Sequence, residues 1–187
     1  MYLKYSILTF ITVLFLLQSC TNPFAPAKAD DAASSSNLLT EQSNPDEVLT
    51  NFKFAYTFKD SLVYSELFDS SFVFLSMDYN ESPPVPIQWG RDLELKTAGR
   101  MFRFFNVLDL DFNPPIYQRV IRNDTIQFHP NLLVEKEIES KFTFTLTLDG
   151  GSTIPPLNGE VIFIFFCIEK ENGERKCTIS LWEDQQI

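Results

Sequence analysis

The chain has 187 residues, 44% of them hydrophobic and 19 of them Phe, with a formal net charge of −10 and a pI near 4.5. Once a leader and a tether are set aside, this is one domain of ordinary size with enough apolar mass for a sizeable core. The acidity and the absence of any Lys/Arg run exclude a nucleic-acid binder, which needs a basic surface against phosphate.

The chain opens Met1-Tyr2-Leu3-Lys4-Tyr5, with one basic residue, and continues as an uncharged, mostly apolar run to Leu17. A bilayer span needs roughly 20 apolar residues, so this shorter run reads as the n- and h-regions of a secretory signal. It ends in Leu17-Gln18-Ser19-Cys20, which resembles the lipobox of bacterial lipoproteins in its Leu, its small residue before the Cys, and the Cys itself. The resemblance implies that residues 1–19 are removed and that Cys20 is lipidated as the new N-terminus. The protein is then exported and held to a membrane by its acyl chains, each buried methylene contributing about 0.8 kcal/mol. Thr21, standing where an Asp would retain the protein, favours the outer membrane over the inner in enterobacteria-like sorting.

Residues 20–43 are rich in Ala, Ser, Asn and Pro without apolar period, and read as a flexible tether. The domain, residues 44–187, begins at Asn44-Pro45-Asp46-Glu47, where an N-cap, a Pro at the first helical position and a capping-box carboxylate coincide. Val48, Phe52, Ala55 and Tyr56 continue at helical spacing. A second helix is expected from Ser61 to Leu67 with Asp60 as cap, then a strand from Phe72 to Met77. Asn80 to Pro86 reads as a loop, and a third helix runs from Asp92 to Phe105 with Leu95, Ala98, Phe102 and Phe105 on one face.

Everything after Asn106 is strand-like: Val107–Phe112, Ile116–Ile121, Thr125–Phe128, and the long alternation from Val134 to Leu148. Gly159–Ile168 is apolar on both faces, as in a central strand, and a hairpin at Asn172-Gly173 leads to Lys176–Trp182. The hairpin leaves the pairing of Cys167 and Cys177 open. A two-residue loop sets them on opposite faces, whereas a three-residue loop with Gly173 left-handed sets them directly opposite, where an exported protein can form a disulfide. Phe163 and Phe165, beside outward Thr143, Thr145 and Thr147, either form an aromatic patch that meets a protein partner or a second copy, or are covered by a strand-connecting loop such as Ser152–Asn158 with its Pro155-Pro156.

Helices followed by antiparallel strands indicate an α+β fold with the N-terminal helices packed on one sheet face. The element order from Asn44 to Trp182, with the Trp89-Gly90-Arg91-Asp92 entry to the third helix, resembles the nuclear transport factor 2-like, or cystatin-like, cone. That resemblance implies a curved antiparallel sheet wrapped around an apolar pocket, used for small ligands, by a few isomerases and dehydratases, or for dimerisation. Tyr56, Tyr64, Trp89 and Phe102 are the pocket candidates, Trp89 either lining the mouth or, the reading preferred, sealing the third helix onto the sheet, and Asp78 and Asp92 are the carboxylates that a Tyr-assisted enzyme would need. The lone His129, before Pro130, reads as a turn residue, and no metal site, phosphate loop or cofactor is expected. The function expected is a non-enzymatic, lipid-anchored binding or scaffold domain of the cell envelope. The alternatives are a carrier or sensor of a small apolar ligand and, third, an isomerase- or dehydratase-like enzyme with Asp92 and Tyr64 converging.

Overall fold

The first helix starts where its capping chemistry places it. The computed structural model describes residues 38–128, 131–151, 154–170 and 172–185. Helix α1 (Pro45–Phe58) has Asn44 as N-cap, its side chain accepting from the Glu47 backbone N–H. The Glu47 carboxylate in turn accepts from the Ser43 N–H and hydroxyl, both at 2.8 Å, and from Asn44 Nδ2 at 2.9 Å. The helix ends at Lys59 in the left-handed conformation, its N–H directed at the Ala55 and Tyr56 carbonyls. Helix α2 (Ser61–Glu66) follows with Asp60 capping Leu62 and Val63.

Order begins before Asn44, which corrects the tether boundary. The Thr40 N–H donates to Asn51 Oδ1 at 2.8 Å, Asn51 Nδ2 donates back to the Thr40 carbonyl at 3.0 Å, and the Cys177 N–H donates to the Gln42 carbonyl at 2.7 Å. Among the described residues the buried Asn51 side chain is satisfied by this upstream segment, so residues 40–43 belong to the domain. Cys20 and the rest of the expected leader and tether lie outside the described residues, as does His129.

Strand β1 (Phe68–Asp78) forms a hairpin with β2 (Val85–Gly90), which the Pro-rich sequence had disguised as a loop. β2 is an edge strand, where the missing N–H of Pro86 costs no ladder bond. Helix α3 (Arg91–Phe104) leaves it directly. β3 (Leu108–Phe112) and β4 (Tyr117–Phe128) then pair in succession with one edge of the long β5 (Asn131–Leu148). Between them Asn113-Pro114-Pro115 steps along that edge, held by the Asn113 N–H on the Thr143 carbonyl and the Ile116 N–H on the Lys141 carbonyl. The two short strands expected between Ile116 and Phe128 are one strand with a register shift between Val120 and Arg122.

After a short 3₁₀ turn, β6 (Leu157–Lys170) and β7 (Arg175–Gln185) complete a sheet of order β2-β1-β7-β6-β5-β3, with β4 beside β3 on β5. The sheet is mixed rather than wholly antiparallel. β7 inserts between β6 and β1 and runs parallel to β1, with Phe74 opposite Trp182. Helix α1 packs on β3 and β7, and α3 on β1 and β2. The α+β arrangement of helices on one sheet face is the one expected.

The core face is set by β5 and β6 together. Ser140 stands opposite Phe163 and Phe142 opposite Val161, so the even residues of β5 and the odd residues of β6 face the helices. Phe163 and Phe165 are therefore 0% exposed, which removes them as a partner surface. Phe163 touches Phe52, Phe112, Phe142, Phe165 and Trp182, with ring centroids between 5.5 and 6.2 Å. Full burial of such a ring contributes about 1.5–3 kcal/mol. Thr143 stands opposite Glu160 on the other face, where a Lys141–Glu160 ion pair at 2.6 Å crosses the same strands.

At the β6–β7 hairpin the Lys170 N–H donates to the Glu174 carbonyl and the Gly173 N–H to the Lys170 carbonyl, with Gly173 at φ 82°. This is the three-residue loop with a left-handed glycine. Cys167 and Cys177 stand directly opposite and are joined as a disulfide, buried beside the Gln42 carbonyl.

Candidate functional site

A cavity of about 210 Å³ lies between α1 and the sheet. Helical spacing brings Phe52 and Tyr56 of α1 to one wall. Phe74 of β1, Leu110 and Phe112 of β3, Phe144 and Leu146 of β5, and Leu157 and Val161 of β6 supply most of the rest. Leu157 is 47% exposed, so the cavity reaches the surface at the start of β6. The last wall is Trp182 and Asp184 of β7.

Those two residues face inward because of a bulge. Phe165 pairs with Ile179, but Ile164 pairs with Leu181, leaving Ser180 as an extra residue whose hydroxyl donates to the Ile164 carbonyl at 3.1 Å. Before the bulge Cys177 and Ile179 face the core; after it Trp182 and Asp184 share that face, opposite Phe163 and Val161. Strict alternation from Cys177 would have turned Leu181 and Glu183 inward. No residue pattern in the strand marks the bulge, which is why the sequence did not reveal Asp184 as a site residue.

Asp184 is the one carboxylate among the described residues of the cavity wall, and Ser76 Oγ donates to its Oδ2 at 3.3 Å. Burial raises its carboxyl above its ordinary value, and the Ser76 hydrogen bond opposes that in part.

Of the four expected pocket residues, only Tyr56 lines the cavity. Trp89 stacks on Phe74 at 3.8 Å, one layer behind the wall. Phe102 packs behind Tyr56, ring centroids 5.4 Å apart, and against Tyr64 at 5.5 Å. Behind that layer lies a polar network. The Tyr64 hydroxyl donates to Glu94 Oε1 at 2.7 Å and Trp89 Nε1 donates to Oε2 at 2.8 Å, with Glu94 only 6% exposed. Burial first, then Tyr56 and the Glu94 charge, push the Tyr64 hydroxyl far above the ordinary phenol range; burial and Glu94 do the same to Tyr56.

This network joins α2, the β2 end and α3, and neither Tyr64 nor Glu94 touches the cavity. Asp92 is exposed in the first turn of α3, so it does not converge with the buried Tyr64. Asp78 accepts from the Asn80 N–H and side chain in the β1–β2 turn. No group of three His, Cys, Asp or Glu able to hold a metal occurs among the described residues.

No family model matches the chain, and no curated protein matches it. Among solved structures it is similar to a putative calcium/calmodulin-dependent protein kinase type II association domain from Thiobacillus denitrificans, at 11% identity and a TM-score of 0.49, covering 79% of this chain and 98% of that one. It is also similar to a protein with a cystatin-like fold from Nostoc punctiforme, at 14% identity and TM-score 0.44, covering 76% and 87%. A conserved protein from Planctomyces limnophilus is similar at 13% identity and TM-score 0.43, covering 83% and 99%.

Proposed function

We propose that this chain is an exported, lipid-anchored protein of a bacterial cell envelope, in the outer rather than the inner membrane, whose domain binds a small ligand in the cavity under α1. The observation that carries this reading is the cavity itself: an opening at the surface, walls of aromatic and aliphatic side chains, and a single carboxylate among its described lining residues. Ligand sites combine apolar walls with a few placed polar groups in this way. The volume is small for such a site, which suits a compact molecule.

The reading is non-enzymatic. The buried tyrosine–carboxylate pair, Tyr64 and Glu94, is spent on joining α2 to α3, a second pair, Tyr117 and Glu139, crosses β4 and β5, and among the described residues the carboxylate on the cavity wall has the Ser76 hydroxyl as its hydrogen-bond donor. The anchor rests on Cys20 and the apolar run before it.

Native mass spectrometry of the chain purified from its own host tests the ligand, and membrane fractionation of a Cys20→Ala variant tests the anchor. Extra mass on the protein, and release of the variant from the membrane fraction, are expected. An empty protein that also fails to take up any small apolar probe would overturn the ligand reading; a variant still in the membrane would overturn the anchor.

A further inference from the structure

The cavity has a sign as well as a size. Among its described lining residues six are aromatic, one is Asp184, and none is Lys, Arg or His. The rings form a continuous arc, with centroids 5.6 Å apart for Phe112 and Phe52, 5.7 Å for Phe52 and Trp182, and 5.5 Å for Trp182 and Phe74. Asp184 belongs to none of the ion pairs among the described residues, and Ser76 is its hydrogen-bond donor.

A half-buried carboxylate without a cation lacks the partner that would offset its desolvation. Aromatic faces carry the negative end of the ring quadrupole and ring edges the positive end, so a cation gains from these walls where it meets a face, and Asp184 supplies the charge that separates it from a neutral group of the same shape. The chain's net charge of −10 raises the local concentration of cations before binding. The volume exceeds the ~150 Å³ that accepts benzene in an engineered cavity. It therefore suits an ammonium group with a few carbons attached.

Building on the ligand-binding reading above, we infer that the ligand is a small organic cation, its ammonium charge paired with Asp184 and its alkyl groups packed against the aromatic arc. Asp184 is thus the residue that sets specificity, and the rings supply the shape.

The test uses the protein as purified from its own host, in dodecyl maltoside micelles. Calorimetric titration compares choline with 3,3-dimethylbutan-1-ol, which has the same shape without the charge. Choline is expected to bind about tenfold more tightly or better, and Asp184→Asn to remove most of that preference over the alcohol. Equal affinities, or tighter binding of the alcohol, overturn the cation inference and leave the ligand-binding reading standing. Binding of neither probe overturns the cation inference, and together with an empty protein from its own host it overturns the ligand-binding reading as well. The two-probe comparison in the unaltered chain decides the matter even where the Asp184 variant does not fold.

Discussion

Trp182 stands directly opposite Phe163 across β6 and β7, ring centroids 5.5 Å apart, on the face that Cys177 and Ile179 occupy five and three residues earlier. An odd separation puts both sets on one face only because Ser180 is bulged out. One inserted residue thus gives the core a large aromatic and the cavity its carboxylate.

Trp182→Ala removes a ring packed against Phe52, Phe74 and Phe163. It is expected to cost about 3–5 kcal/mol, the range for large aromatic deletions. Urea unfolding followed by circular dichroism measures it, and a loss under 1 kcal/mol would show that the ring is not part of the core.

Gly159 lies under the Phe144 ring, where an added Cβ would come within 2.6 Å of the ring edge. Gly159→Ala is expected to destabilise by about 1–3 kcal/mol through overpacking, and to push Phe144 into the cavity it lines. Combining it with Phe144→Leu should recover part of the loss. An additive double mutant would break the argument, since contacting residues couple.

Tyr64→Phe deletes one of two donors to the buried Glu94 carboxylate and is expected to cost about 1–3 kcal/mol. Glu94→Gln keeps the shape but places an amide N–H against one of the two donors. It should therefore cost at least as much. Because the network stands behind the cavity wall, both variants should leave probe affinity within about twofold once folded; a larger change in titration would place Glu94 at the site.

Cys167 and Cys177 close a short hairpin loop, so replacing both by Ser is expected to cost about 2–3 kcal/mol of stability. The Gln42 carbonyl accepts from the Cys177 N–H, so protection should also fall at residues 40–43. Hydrogen exchange reads this out; unchanged protection there would separate the disulfide from the upstream clamp.

Two carboxyls give pH effects of opposite sign. The Ser43 N–H and hydroxyl hold Glu47 below its ordinary value of 4.5, so its contribution is present above that pH and is lost as pH falls through the folded value. Burial holds Asp184 above its ordinary value of 3.8, so its ionisation opposes folding at neutral pH and this cost disappears on acidification. Glu47→Gln should therefore lower stability at pH 7 and flatten the acid limb. Asp184→Asn should raise stability of the ligand-free protein at pH 7 but not at pH 3. Urea midpoints at the two pH values check both signs.

Local chemistry alone located much of this fold. Asn44-Pro45 and Asp60 start their helices because a side-chain acceptor satisfies orphan N–H groups within three residues. The long alternation of β5 announced a half-buried strand because its two faces differ in polarity. β6 offered no such sign: both of its faces are apolar, so the sequence was indifferent to which face turns inward, and only its register with β5 sent Phe163 and Phe165 to the core. The cavity was legible in one residue, Tyr56, which lies on the buried stripe of a well-marked helix. Trp182 and Asp184 were decided by a bulge that depends on the neighbouring strand. Trp89, Tyr64 and Phe102 fell one layer behind the wall because α2, α3 and β2 meet around Glu94. Periodicity fixes a face within one element; the pairing of two elements chooses what that face meets.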